Sequence, residues 1–140
     1  MKAERIVADS NVLISAALHS RGSPRAVIDA VRSEDGLLLF SAQTFAEIRT
    51  RLMRPKFDRY IEREFRTVWL SQIEAVSKFV SISGATLGCR DPDDGKLLET
   101  ALSGEADCLV TGDRDLLSMT PFRGIPILSP ADFLAALADL

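Results

Sequence analysis

Short apolar runs alternate along this chain with longer segments whose apolar residues recur every three or four positions. Each short run has the length and composition of a buried strand. The five predicted strands cover 6–8, 37–40, 79–82, 108–111 and 126–128. Strands that alternate with helices form a largely parallel sheet covered on both faces. The sequence therefore predicts an α/β fold, and because no linker interrupts it, one domain over 1–140.

The segments between these runs have helical periodicity. The longest of them, 57–79, is predicted to be helical in one or two pieces. Its apolar stripe, which favours a core role over a dimer contact, consists of Phe65, Val68, Trp69, Ile73, Val76 and Phe79. Capping residues and prolines place the predicted helices at 10–17, 24–32, 42–53, 57–79, 91–103, from 116, and 130–137.

Two acidic residues follow strands directly. Asp9 comes after the first strand, and Asp113 comes after the fourth, behind Gly112. The carboxyl ends of parallel strands open into the cleft where such folds bind ligands. Two carboxylates about 5 Å apart there would repel by roughly 3 kcal/mol, and a divalent cation relieves that repulsion. The alternative for Asp9 is a helix N-cap, a role compatible with facing the cleft.

A third acidic group is the run Asp91-Pro92-Asp93-Asp94. Asp91 suits an N-cap, and acids in a first turn suit the helix dipole, which is a sufficient structural explanation. Asp94, however, continues the core-facing positions of the helix and is predicted to face the cleft. Asp91 and Asp93 are expected nearer the rim. Asp115 is an alternative to Asp113 as the cap of the next helix.

Glu47 is the fourth acid, and periodicity alone predicts that it is solvated. It falls almost opposite the apolar face that contains Phe45 and Ile48, and Arg51 at i+4 offers a surface ion pair.

Composition narrows the chemistry further. His19 is the only histidine and is predicted to lie in an exposed turn, so acid–base and metal chemistry would depend on carboxylates. Cys89 and Cys108 are predicted to be reduced thiols packed as small hydrophobic groups. No apolar run suits a membrane helix or a signal peptide, and a cytoplasmic location is expected.

The net charge of −3 conceals a basic segment at 49–66, where seven cations outnumber three acids, so that 7 − 3 gives +4. The segment is either a phosphate-binding surface or a solvated helix face with internal ion pairs. Its cations are Arg49, Arg51, Arg54, Lys56, Arg59, Arg63 and Arg66.

Four segments taken together resemble the PIN-domain family, which includes the VapC-type toxins of bacterial toxin–antitoxin pairs. Each motif is weak alone, but all four occur in order, each on its expected element. The Arg54-Pro55-Lys56-Phe57 segment also resembles a subgroup of PIN-domain toxins. The four motifs are Val7-Ala8-Asp9-Ser10-Asn11-Val12-Leu13-Ile14-Ser15, Ser41 with Glu47-Ile48 and Leu52, Asp94-x-x-Leu97-x-x-x-Ala101, and Val110-Thr111-Gly112-Asp113-Arg114-Asp115-Leu116-Leu117.

The resemblance implies a three-layer α/β/α fold with a five-stranded parallel sheet in the order 3-2-1-4-5. It also implies an endoribonuclease that uses Mg²⁺ or Mn²⁺, leaves 5′-phosphate and 3′-hydroxyl ends, forms a homodimer and has an antitoxin partner. Contrary to the periodicity, it makes Glu47 a site acid. The implied catalytic and metal-binding acids are Asp9, Glu47, Asp94 and Asp113, with Asp91, Asp93 and Asp115 as further ligand candidates and Ser10, Asn11 and Thr111 as supporting residues.

Two other classes of function stay open at this point. The chain could be a partner-binding module without catalytic activity, although the complete acid set argues against that. It could also be a phosphotransfer or receiver-like domain that uses Asp9 as the acceptor. Dehalogenase-type phosphatases would need a second aspartate at the position of Asn11.

Overall fold

The computed structural model describes residues 2–85 and 87–138, and these residues form one parallel sheet with helices on both faces. The sheet order is β3-β2-β1-β4-β5, and every strand pair is parallel. This confirms the α/β class and the strand order that the sequence implied. The strands are β1 (Arg5–Ala8), β2 (Leu37–Phe40), β3 (Ser77–Phe79), β4 (Cys108–Val110) and β5 (Ile127–Leu128).

The helices begin close to the predicted capping residues. Ser41 forms a capping box with Thr44 in front of α3, and Pro92 occupies the first turn of α5. The helices are α1 (Ser10–Leu18), α2 (Ser23–Ser33), α3 (Ala42–Leu52), α4 (Arg63–Ala75), α5 (Pro92–Ser103), α6 (Arg114–Leu117) and α7 (Pro130–Ala138), and a 3₁₀ turn covers Pro55–Phe57.

The three central strands β1, β2 and β4 are buried on both faces, because successive side chains point to opposite sides of the sheet and helices cover both sides. In β1, Ile6 and Ala8 belong to one apolar cluster with α1–α4 and α7. Val7 points the other way, into a second cluster formed with α5 and α6. The sheet is therefore the middle layer of three.

The prediction for 57–79 was wrong at both ends of the helix and for three residues of its apolar stripe. The helix α4 begins at Arg63 and ends at Ala75. Phe65, Val68 and Phe79 are exposed, at 63%, 54% and 44%. The buried positions of α4 are Arg66, Trp69, Leu70 and Ile73, which have the spacing i, i+3, i+4 and i+7. The apolar stripe was misplaced because an arginine occupies its first buried position.

Arg66 is fully buried and holds the end of α3. Its guanidinium donates to the carbonyls of Leu52, at 2.9 Å, and Arg54, at 3.3 Å, and pairs with the Asp58 carboxylate. The last carbonyl groups of a helix lack hydrogen-bond partners within it. The Arg66 guanidinium supplies a donor to the carbonyl of Leu52, the last residue of α3. One cation of the basic segment is thus a structural group inside the protein.

Strand β3 lies at Ser77–Phe79 rather than at the predicted 79–82. Phe79 pairs with Phe40, and the Val80 amide then donates to the Phe40 carbonyl. β3 is an edge strand and is partly exposed, so it lacks the apolar pattern that located the central strands.

The remaining predictions for single residues concern His19 and the two cysteines. His19 is exposed, as predicted, and Cys108 is buried in the core. Cys89 is only half-buried, at the lip of a cavity described below. Within 2–85 and 87–138, none of the helices combines the length and apolar character that crossing a bilayer demands.

Candidate functional site

The ends of the two central strands bring Asp9 and Thr111 together. Ala8 pairs with Val110 in the register of β1 and β4, and the Asp9 amide donates to the Val110 carbonyl at 2.9 Å. The Thr111 hydroxyl donates to Asp9 Oδ2 at 2.8 Å. Asp9 is only 7% exposed, so the first predicted site acid is buried at the carboxyl ends of the two central strands.

Asp9 is also the N-cap of α1, as the structural alternative predicted. Its Oδ1 accepts from the Asn11 amide and from the Ser10 hydroxyl, each at 3.4 Å. Asn11 thus contributes its backbone, and its side chain is exposed. Both roles predicted for Asp9 coexist, because a cap residue at a strand end still faces the cleft.

Asp113 follows β4 and caps α6. Its Oδ1 accepts from the Asp115 amide at 2.9 Å, and its own amide donates to Thr111 Oγ1 at 3.0 Å. Asp115 is exposed in the first turn and is not the cap. Thr111 therefore contacts the side chain of Asp9 and the backbone of Asp113, which joins two of the acids.

The first turn of α5 brings further carboxylates to the same place. Asp91 caps the helix by accepting from the Asp93 amide at 2.9 Å. Asp94 is half-buried and faces the cleft, where a cavity of about 370 Å³ opens. This acidic cavity is lined by Gly88, Cys89, Arg90, Asp91, Asp94, Asp113, Asp115 and Met119.

Burial and the neighbouring carboxylates together raise the pKa of Asp94. Burial raises the pKa of Asp94 to about 6, and the carboxylate of Asp113 is the next largest cause. Asp91, Asp9 and Asp115 act in the same direction. The shift reflects burial together with the repulsion of these four carboxylates, while Arg90 is the one cation among the residues that line the acidic cavity.

Glu47 is on the side of α3 that faces α1 and not on the solvated face that its periodicity indicated. Its side chain is 21% exposed, and the Ser10 hydroxyl lies 3.4 Å from Oε1. Burial raises the pKa of Glu47, and Arg51 opposes this effect from 2.9 Å. The predicted i,i+4 ion pair exists, but it is part of the cleft.

Asp93 turns away from the acidic cavity. Its two oxygens contact Arg51 Nη2 at 3.2 Å and Lys96 Nζ at 3.4 Å. A second, more open cavity of about 320 Å³ lies on this side. This basic groove is lined by Gln43, Ala46, Glu47, Thr50, Arg51, Arg54, Asp93 and Lys96.

Arg51 and Lys96 are the site residues that the sequence reasoning missed. Arg51 was assigned to the basic segment and to a surface ion pair with Glu47. Its contact with Asp93 joins positions 42 residues apart, which local spacing cannot reveal. Lys96 stands three residues after Asp93, and that i,i+3 spacing was an available signal.

The loop before α5 is tied to that helix by Glu99. The Glu99 carboxylate accepts from the Ser83 amide and hydroxyl and from the amides of Gly84 and Ala85, at 2.6–3.1 Å. These bonds lower the pKa of Glu99. The same loop supplies Cys89 to the wall of the acidic cavity.

The donor set of Asp9, Asp94 and Asp113 fits a hard divalent cation. It offers only carboxylate oxygens, and acids outnumber cations around Asp94, since four aspartates and one arginine line the acidic cavity. In the described part of the chain, no three His, Cys, Asp or Glu side chains are close enough to hold an ion as a ready-made set. Mg²⁺ usually takes one or two carboxylates and keeps several waters, so it needs no such set.

Comparison with known proteins agrees with this arrangement. The family model described as the PIN domain, a family whose members are generally nucleases, matches residues 5–115. The chain is 31% identical over 116 residues to the uncharacterized protein MJ1680 of Methanocaldococcus jannaschii, covering 82% of this chain and 74% of that protein. The crystal structure of PAE2754 from Pyrobaculum aerophilum shares the fold, with a TM-score of 0.68 at 19% identity over 99% of this chain and 92% of that chain. Because the family match spans well over half of its residues, the chain belongs to the PIN domain family.

Proposed function

We propose that this protein is a metal-dependent endoribonuclease and the toxin of a toxin–antitoxin pair. The observation that supports the nuclease proposal best is the excess of negative charge around Asp94, where four aspartates and one arginine line the acidic cavity near the ends of β1 and β4. PIN domains usually use Mg²⁺ or Mn²⁺, and a nuclease of this kind needs a cation between its carboxylates and the phosphate. The family membership of the chain supports the same reaction class.

In this proposal Asp94, Asp9 and Asp113 hold the cation. When bound, the cation supplies a polarised water and neutralises charge on the phosphate oxygens. Thr111, Ser10 and the Asn11 amide fix the Asp9 carboxylate through three hydrogen bonds. Glu47 is the fourth acid of the site, and the rim acids Asp91 and Asp115 add to the negative potential.

The substrate strand needs cationic contacts outside the acidic cavity, because phosphates would otherwise be repelled. Arg54 and Lys96 line the basic groove beside it. Lys56 and Arg59 are exposed a few residues further along. This distribution supports an extended nucleic-acid strand that passes from the groove towards Asp94.

Incubation of a labelled single-stranded RNA with the purified protein tests the nuclease proposal. Cleavage is expected with Mg²⁺ or Mn²⁺ and no cleavage with excess chelator, and product ends are identified by mass spectrometry. Asp94→Asn is expected to reduce the rate at least about a hundredfold, because removal of a charged ligand weakens the metal site. Full activity of this variant, or cleavage in chelator, would reject the assigned role.

Asp132→Asn is the matched control. Asp132 is also an acid in a first helical turn, but it is exposed on α7, a helix that packs against α2 and β5. The control is expected to cleave at the wild-type rate, which separates loss of a first-turn charge from loss of the site.

The toxin role requires an inhibitory partner and a cellular RNA target, and with them a cytoplasmic location. Expression of the protein alone is expected to arrest growth, and co-expression of the product of an adjacent small gene is expected to relieve the arrest. The homodimer that we propose would use exposed apolar side chains of α4, of which Phe65 and Val68 are the clearest. Phe65→Glu is expected to give a monomer in sedimentation analysis.

The structure disfavours the phosphotransfer alternative. A phosphoacceptor needs an accessible oxygen, whereas Asp9 is buried and both of its oxygens accept hydrogen bonds. A catalytically silent module would be expected to lack the excess of negative charge around Asp94.

A further inference from the structure

The guanidinium of Arg51 connects three elements within the cleft. Nη1 lies 2.9 Å from Glu47 Oε1 and donates to the Ser10 hydroxyl at 2.8 Å. Nη2 lies 3.2 Å from Asp93 Oδ2. The arginine side chain is only 29% exposed, so these contacts are formed in a partly desolvated place.

These contacts divide the acids of the cleft into two groups. The carboxylates of Glu47 and Asp93 are already paired with positively charged side chains. Arg51 pairs with both of them, and Lys96 pairs with Asp93. Asp9, Asp94 and Asp113 form no ion pair within the described residues, and the one cation among the residues that line the acidic cavity is the exposed Arg90. This second group of acids therefore has no paired counterion in the described part of the chain.

Ser10 joins the two groups. Its hydroxyl accepts from Arg51 and lies 3.4 Å from both Asp9 Oδ1 and Glu47 Oε1. A hydroxyl has one proton, so it donates to only one of these carboxylates at a time. The arginine therefore influences Asp9 through Ser10 without contacting it.

We propose that Arg51 takes the place of a second divalent cation, so that the site binds one metal ion per chain. Glu47 then serves to hold Arg51 and is not a metal ligand. Arg51 is a positioning residue that fixes Glu47, Ser10 and Asp93 beside the ion. This inference rests on the proposed function, because it specifies how many ions that function uses.

A purely structural explanation is that Arg51 fastens α3 to α1 and α5. In that case its removal would lower stability and would leave the ion count unchanged. If Arg51 instead takes the place of a cation, its removal is expected to have a different result. Without its positive charge, Glu47 and Asp93 become available to solvent ions, and the cation beside them binds more tightly. Counting bound Mn²⁺ separates the two explanations.

Mn²⁺ binding to the full chain is measured by equilibrium dialysis and electron paramagnetic resonance, with Mn²⁺ alone as the probe. Wild type and Glu47→Gln are each expected to bind one ion per chain, and Asp94→Asn is expected to bind none at matched concentrations. Arg51→Gln is expected to bind the first ion at least about fivefold more tightly and to gain a second. Arg51→Lys keeps the charge and is expected to retain a single ion.

Arg49→Gln is the matched control, since Arg49 is exposed on the same helix and its guanidinium lies over the ring of Phe45, 5.1 Å from the centroid. It is expected to bind Mn²⁺ as wild type does, and circular dichroism checks that every variant is folded. Two ions in wild type, loss of the ion in Glu47→Gln, or unchanged binding in folded Arg51→Gln would overturn the inference while the RNA-cleavage assay still supports the nuclease. Absence of both Mn²⁺ binding and cleavage in wild type would instead overturn the proposed function, and this inference with it.

Discussion

The Thr111 hydroxyl donates a 2.8 Å hydrogen bond to the Asp9 carboxylate, across positions 102 residues apart in the chain. Both residues are buried, and they follow the two neighbouring strands at the centre of the sheet. Thr111 Oγ1 also accepts from the Asp113 amide at 3.0 Å. One hydroxyl thereby sets the relative position of two acids that are far apart in the sequence.

Replacing Thr111 by valine is expected to lower the free energy of unfolding by about 1–3 kcal/mol. Valine keeps the shape but leaves a buried carboxylate oxygen and the Asp113 amide without their partner. Urea denaturation measures the change. Thr111→Ser keeps the hydroxyl and is expected to lower the free energy of unfolding by much less. An equal decrease in both variants would contradict the role given to the hydroxyl.

Asp94 is expected to make the metal-free protein less stable at neutral pH than in mild acid. Its pKa is raised from 3.8 to about 6 in the folded state, so the folded protein holds this proton more tightly than the unfolded chain does. The resulting stabilisation is fully present below pH 3.8 and is lost as the pH rises through about 6.

Asp94→Asn imitates the protonated form and is therefore expected to exceed wild type in stability at about pH 7.5 in chelator. The difference should disappear near pH 4. Denaturation curves across this range measure it, with Glu74→Gln, an exposed acid on α4, as the control that shows no such trend. A stability gain that did not depend on pH would argue against the charge crowding.

Mg²⁺ is expected to stabilise the folded protein and to do so less well in acid. At a free concentration about a hundredfold above the dissociation constant, one site adds about 2.7 kcal/mol to the free energy of unfolding. Protons compete with the ion for Asp94 near its pKa of about 6, so the gain at pH 5 should be smaller than at pH 7.5. Thermal melts with NaCl at equal ionic strength provide the control, and an equal gain in Asp94→Asn would be inconsistent with the site.

Arg66→Met is expected to lower the free energy of unfolding by about 3 kcal/mol or more. Methionine fills part of the space but leaves the Leu52 and Arg54 carbonyls and the Asp58 carboxylate without a donor. Arg63→Met removes a neighbouring cation that is exposed and should cost far less. Chemical denaturation of both variants makes the comparison, and similar losses would contradict a structural role for Arg66.

The central part of the fold was predictable because its strands are short, apolar and buried on both faces. β1, β2 and β4 carry such runs, and Asp9 and Asp113 could be placed at strand ends from the sequence alone. Asp91 as a cap and Asp94 in the first turn of α5 followed from local rules that the structure bears out in their geometry.

The elements that were misjudged are those where a polar residue occupies a buried position. Helical periodicity assigns charged residues to the solvent-exposed face. Arg66 was therefore predicted to be a surface cation, and the predicted buried face of α4 differed from the observed one. The same reasoning placed Glu47 outside the cleft, although α1 and α5 both pack near it. Only the resemblance to a family assigned Glu47 to the site, because tertiary contacts and not local spacing decide where such a residue lies.

The hydrogen bonds between Glu99 and the loop before α5 also affect the acidic cavity. Ser83, Gly84 and Ala85 are fastened to the helix that carries Asp94, less than two turns away from it. The position of the helix that carries Asp94, and of the loop that supplies Cys89 to the cavity wall, therefore depends on a carboxylate that lies outside the acidic cavity.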